Sequence, residues 1–276
     1  MCRLFAYSGE PVWLDTLLIE PEASLVSQSM AAREAKTVVN GDGCGLGWYG
    51  ERERPGLYRD TLPAWSDANL AGLCHQIRSG AFMAHVRSAT AGEVSRANCH
   101  PFALGRHLFM HNGQIGGYDR LRRRIDSLIP DEFYGHRHGT GDSEAIFLIA
   151  AGQGLETDPV WAIDRALRLC LSAMTDMGIA DPLRFSAVLM DGETTHAFRW
   201  SSDARPPTLY WRALEGGIAF SSEPCSLDAS LWTPLAPNSF VRLDSSSMIA
   251  SRFDPASQNP CETVSGIASE ATRSAA

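Results

Sequence analysis

Beyond Arg184 the chain changes character: short strand-like runs replace helical spacing, and this switch constrains the fold more than any other feature. Phe185 to Met190 and His196 to Trp200 flank the turn Asp191-Gly192-Glu193-Thr194. Leu209 to Arg212, Ile218 to Ser221, Phe240 to Leu243 and Met248 to Phe253 follow as further strands. The middle of the chain reads as helical. Asp142-Ser143-Glu144 opens an apolar helix, Ala145 to Ala151, and Asp158-Pro159 starts another with Val160, Ile163, Leu167 and Cys170 at helical spacing. Earlier still, strands are predicted at Arg3 to Tyr7 (stopped by Ser8-Gly9-Glu10-Pro11), through Leu46 and Trp48, at Ala81 to Val86 and at His107 to Met110. Helices are predicted over Ser24 to Ala32 and after an N-capping Ser66, with Leu70, Leu73 and Ile77 on one face. Strands, then helices, then strands predict an α+β fold with helices packed on antiparallel sheets. No internal repeat or linker divides it, so residues 1–254 read as one domain and the Ser-, Ala- and Thr-rich 255–276 as a disordered tail.

Composition removes several classes of function. Lys plus Arg total 24 against 32 Asp plus Glu, a net charge of −8, which argues against nucleic-acid binding by phosphate neutralisation. The cluster Arg120, Arg122, Arg123 and Arg124 reads as the solvated face of a helix whose apolar side is Leu121, Ile125 and Leu128. No apolar run reaches the ~18–20 residues that span a bilayer, and the N-terminus lacks a signal-peptide pattern, so no membrane role and a cytoplasmic address are expected. The seven cysteines are scattered and contain no Cys-x-x-Cys pair, which fits neither a disulfide framework nor a zinc site. His136-Arg137-His138 has no partner ligand at useful spacing and reads as a solvated loop. Asp42-Gly43-Cys44-Gly45-Leu46-Gly47 lacks the Lys-Ser/Thr ending of a phosphate loop; it reads as a border of the active site, with Asp42 or Cys44 lining the pocket. No metal and no cofactor are called for.

One thiol is unusual by position. If Met1 is excised, Cys2 carries its own α-amino group, whose ordinary pKa of roughly 7.7–8.0 suits a general base for the thiol. Downstream stand His85-Val86-Arg87-Ser88-Ala89-Thr90, Asn98-Cys99-His100-Pro101 and His111-Asn112-Gly113. Cleaving an amide requires donors aimed at the developing oxyanion, and an Asn-Gly pair at a strand end offers a side-chain amide plus an approachable backbone. The same pair also serves as a hairpin turn. Arg87 could hold a carboxylate bidentately and Asp142 an ammonium, the two charges of an amino-acid-shaped ligand. Arg87 could equally form a surface ion pair, and Asp142 could be an N-cap.

These segments occur together and in one order, with Asn40-Gly41-Asp42-Gly43 and Gly141-Asp142-Ser143-Glu144 completing them over residues 2–150. Jointly they resemble the class II glutamine amidotransferases, which are N-terminal-nucleophile hydrolases. Ser221-Ser222-Glu223-Pro224 looks like a late motif of the stand-alone members. Within the superfamily the chain is similar to the fungal glutathione-degrading amidotransferase subunit and to the γ-glutamyl hydrolase of ergothioneine synthesis. The resemblance implies an αββα four-layer sandwich with Cys2 as nucleophile at the start of a central strand. It implies Arg87, helped by Thr90, on the substrate α-carboxylate, Asp142 on the α-ammonium, and Asn112 with Gly113 as the oxyanion hole. The implied reaction is hydrolysis of a γ-glutamyl amide through a γ-glutamyl thioester on Cys2. Ser88 departs from the aromatic residue usual after the Arg in large synthases, and no second domain resembles a synthase, which weakens any expectation of ammonia channelling.

Two other readings compete. The chain could be a non-catalytic or partner-dependent subunit of a γ-glutamyl peptide-degrading complex, alongside a peptidase or synthase subunit. It could also be a thiol redox protein acting through Cys2, although no resolving-cysteine motif accompanies it.

Overall fold

A computed structural model describes residues 2–34, 38–88 and 93–257. The alternation of its first strand sets the layers. β1 (Arg3–Trp13) sends Leu4 and Ala6 to one side and Phe5 and Tyr7 to the other, and all four are buried. A strand buried on both faces must lie between two apolar layers.

β1 sits inside a seven-stranded antiparallel sheet, which contains β2 (Cys44–Trp48), β3 (Gly56–Asp60), β4 (Arg78–Val86), β9 (Tyr210–Leu214), β10 (Gly217–Ser221) and β11 (Thr233–Pro234). Their spatial order is β11-β9-β10-β1-β4-β2-β3. The second sheet has six strands: β5 (Phe102–Leu104), β6 (His107–Gln114), β7 (Arg184–Met190), β8 (Thr195–Ser201), β12 (Ser239–Leu243) and β13 (Met248–Arg252), in the order β13-β12-β8-β7-β6-β5. Leu4, Ala6 and Met83 meet Leu108, Met110 and Val188 between the two sheets.

Helices cover the outer faces. α1 (Leu14–Leu18), α2 (Leu25–Met30) and α3 (Ala68–Gln76) pack Leu14, Leu25 and Leu70 against Phe5, Tyr7 and Phe82. α4 (Tyr118–Asp126), α5 (Asp131–Tyr134), α6 (Asp142–Ala151) and α7 (Pro159–Asp176) cover the second sheet, where Phe147 stacks on Phe109 with centroids 5.1 Å apart. Three apolar interfaces between four layers make the αββα sandwich that the resemblance implied. On α4, Leu121 and Ile125 are buried and the four arginines exposed, as the spacing predicts.

Several elements depart from the sequence reading. β1 runs through Ser8-Gly9-Glu10-Pro11 to Trp13, with a shift in its pairing to β4 between Ser8 and Val12. A β-carbon on Gly9 would collide with the Gly216 carbonyl, so that glycine permits close strand approach instead of ending the strand. Asp67, not Ser66, caps α3, its carboxylate accepting from the Asn69 and Leu70 amides. β3, β5 and β11 are short strands to which the sequence reading assigns no element. Arg137, read as part of a solvated loop, is buried in ion pairs with Asp126 and Glu144 at 3.1 and 2.7 Å, while His136 and His138 are exposed. Among the described residues no helix is long and apolar enough to cross a membrane. The described chain ends at Ser257, whose carbonyl accepts from Arg168; residues 258–276 of the segment read as a tail lie outside the described residues.

Candidate active site

The site forms where the starts and ends of central strands from both sheets face each other. Cys2 has the same parity as Leu4 and Ala6, which places it on the side of β1 that faces the second sheet. Its half-buried sulfur lies 3.3 Å from the Ser88 amide, which donates to it, just past the end of β4. Desolvation by burial raises the thiol pKa, opposed by that backbone bond and by the nearby Arg87 and Arg3 charges. A thiol held above its usual range needs a local base before it can attack.

Across from it, β6 does not stop at His111. Asn112 and Gly113 pair with Ser186 and Phe185 of β7, so the partner strand overrides the turn preference of Asn-Gly. Strand alternation then separates two neighbours. His111 points to the helical layer, where it meets the Ser143 hydroxyl at 2.8 Å, and Asn112 points between the sheets. Asn112 Nδ2 donates to the Cys2 carbonyl at 3.0 Å, and Asn112 Oδ1 lies 3.3 Å from His85 Nε2. Gly113 adopts φ 152°, and a β-carbon there would collide with the Arg184 carbonyl; only glycine fits.

Arg87 follows β4 and is 7 % exposed. Its own amide donates to the Gly43 carbonyl, and its carbonyl accepts from the Asp42 amide, which fastens the Asn40–Gly43 turn to the site. Arg87 Nη1 is buried with no hydrogen-bond partner among the described residues. A buried guanidinium nitrogen without an acceptor is costly, so an anionic ligand is the natural complement. Asp142 is the first residue of α6 and not its cap; Oδ2 accepts from the Ile115 amide at 2.7 Å, just beyond β6. Cys44, by contrast, faces α3, with its thiol 3.5 Å from Asp67, so it does not line the pocket. Thr90 lies outside the described residues.

Cys2, Arg87, Asn112, Gly113 and Asp142 therefore converge from two sheets and one helix start. The family model described as "Glutamine amidotransferases class-II" matches residues 1–205. The chain belongs to this enzyme family. A protein described as a "glutamine aminotransferase class-II domain protein" from Silicibacter pomeroyi superposes with a TM-score of 0.74 at 37% identity, covering 91% of this chain and 99% of that one. The γ-glutamyl-hercynylcysteine sulfoxide hydrolase of Mycolicibacterium smegmatis is 28% identical over 244 residues, 87% of this chain and 95% of that protein. The probable glutamine amidotransferase DUG3 of Saccharomyces cerevisiae is 35% identical over 158 residues; the match spans 54% of this chain and 44% of the yeast protein. The glutamine phosphoribosylpyrophosphate amidotransferase of B. subtilis, at 14% identity and a TM-score of 0.61, shares the N-terminal-nucleophile hydrolase fold.

Residues without a role in the sequence reading turn out to brace this amidotransferase site. Asn98 accepts from the Thr140 and Gly141 amides at 2.7 and 3.2 Å and donates to the Glu93 carbonyl, joining the turn before Asp142 to the segment beyond Arg87. The late motif does the same for β1. Ser222 Oγ accepts from the Leu4 amide at 3.0 Å, and Ser221 Oγ donates to the Leu4 carbonyl at 3.2 Å. Glu223, 2 % exposed, pairs with Arg3 at 3.3 Å and accepts from the Arg33 and Glu34 amides at 2.9 Å each. Buried polar residues in a motif were the available signal, but the partners of the late motif are roughly 190 or more positions away in sequence.

Proposed function

We propose that this chain hydrolyses a γ-glutamyl amide bond, in glutamine or in a γ-glutamyl peptide or conjugate, through a γ-glutamyl thioester on Cys2. The observation that carries the reading is the Asn112 amide, fixed beside Cys2 and bonded to its carbonyl, with the buried Arg87 Nη1, unpartnered among the described residues, just past the strand that carries His85.

With Met1 removed, the Cys2 amine takes the thiol proton, and Sγ attacks the γ-carbonyl carbon. Charge moves to the carbonyl oxygen, where an Asn112 Nδ2 proton and the Gly113 amide would receive it. Collapse of that intermediate breaks the C–N bond, and the protonated amine returns its proton to the departing nitrogen. Water then adds to the thioester and releases glutamate, restoring the thiol. Arg87 holds the α-carboxylate through Nη1 and Asp142 the α-ammonium through Oδ1, which takes no hydrogen bond among the described residues. These two contacts select the glutamyl half; the amine half is open. The mycobacterial hydrolase, similar along nearly its whole length, supports conjugates as well as glutamine.

Glutamate release from glutamine, glutathione, γ-glutamyl dipeptides and γ-glutamyl-hercynylcysteine sulfoxide tests the proposal and ranks the leaving groups. Cys2→Ala should abolish turnover while melting like the unaltered protein. Appreciable amidase activity in that variant, or a fully active chain that retains Met1, would remove Cys2 from the role given to it.

A further inference from the structure

A buried polar floor lies under the site, and the mechanism above does not use it. His85, on β4, is 1 % exposed, and its ring lies 4.3 Å from that of His100. His100 reaches this place because β2 carries glycine at Gly45: a β-carbon there would collide with the His100 carbonyl. Both imidazoles are held neutral by desolvation; the pKa of His85 falls to about 3 and that of His100 well below its ordinary value.

The hydrogen-bond chain fixes every proton in it. The Cys2 carbonyl can only accept, so the nitrogen of the Asn112 amide must face it. Asn112 Oδ1 therefore faces His85, and a neutral His85 must carry its proton on Nε2. His85 Nδ1 is buried with no hydrogen-bond partner among the described residues, where the ring is hydrogen-bonded through Nε2 alone. With its oxygen held by His85 and one Nδ2 proton on the Cys2 carbonyl, the amide has one further Nδ2 proton to offer. Turned over, the same amide would present oxygen to the Cys2 carbonyl and to the developing oxyanion, and both contacts would repel.

We propose that His85 is a positioning residue for catalysis: its Nε2–H locks the Asn112 amide in the one orientation that leaves a proton for the tetrahedral intermediate. This rests on the reading of Asn112 as an oxyanion donor, and it adds a requirement that reading does not contain, a donor at the Nε2 position of residue 85.

Two near-isosteric variants separate a positioning role from a merely structural one. In His85→Gln the side-chain nitrogen can occupy the Nε2 position; in His85→Asn it reaches only the Nδ1 position. Steady-state kinetics with the best γ-glutamyl substrate should show H85N losing roughly 10–100-fold in kcat with KM within about threefold, short of the ~10²–10³ lost when an oxyanion donor is removed outright. H85Q should stay within about fivefold of the unaltered protein in kcat. In the Asn112→Ala background H85N should cost almost nothing more, because the group it orients is gone. Melting temperatures of both histidine variants, measured alongside, report folding. Equal loss in H85N and H85Q, a change in KM alone, or an undiminished H85N effect in N112A would overturn the proposal. If N112A itself keeps full kcat, it is the oxyanion assignment that fails.

Discussion

The pair Arg3–Glu223 makes the strongest stability prediction in the molecule. Both side chains are almost fully buried, 1% and 2% exposed, and their charged atoms lie 3.3 Å apart. Burial already depresses the Arg3 pKa, and Glu223 opposes that shift. Glu223→Ala removes that carboxylate from a guanidinium that water cannot reach, a change that costs about 3–5 kcal/mol when a buried pair is broken. The Arg33 and Glu34 amides also lose their acceptor, but both residues are exposed and water replaces it, so the ion pair decides the magnitude. For a chain of this size the loss corresponds to roughly 6–20 °C in melting temperature. Urea unfolding followed by tryptophan fluorescence measures it, with Arg3→Met added as the second arm. The double variant should recover at least about 1 kcal/mol, because the buried charge is then gone. A Glu223→Ala cost below about 1 kcal/mol, or no recovery in the double variant, would refute the argument that this pair is desolvated.

Acid should destabilise the fold earlier than carboxylate titration alone would. His85 and His196 have pKa values lowered to about 3 and about 4 by burial, so below the ordinary value of 6.5 the unfolded chain binds protons that the folded chain refuses. Stability is therefore full above pH ~6.5 and falls as pH drops toward 4, by about 1.4 kcal/mol per pH unit for each histidine; denaturant midpoints at pH 5 and pH 7 measure it, and His196→Phe should flatten the slope. Gly113→Ala forces a side chain into φ 152° against the Arg184 carbonyl and should cost at least ~1–3 kcal/mol together with turnover, read from the urea midpoint and glutamate release.

How much was legible in sequence depends on whether a residue's partner is local. The apolar strand runs at Arg3 to Tyr7 and Ala81 to Val86, the helix start at Asp158-Pro159 and the apolar face of α4 are short-range patterns, and all reappear in the structure. The six ordered segments, read jointly, gave the family and the sandwich, because each is a nearly intact site fragment. Asn112-Gly113 shows where local reading stops. As a dipeptide it is a turn, and only the presence of β7 beside it turns it into mid-strand geometry that aims one side chain at Cys2. The functions of His85, Asn98, Ser222 and Glu223 were likewise invisible, since hydrogen-bond partners of buried polar groups are set by which strands become neighbours, not by which residues are adjacent in the chain. The sequence by itself determined the layers, the nucleophile candidate and the set of charges suited to a glutamyl group. The tertiary structure decided the orientation of each polar group, because a buried amide or imidazole points wherever its long-range partner lies.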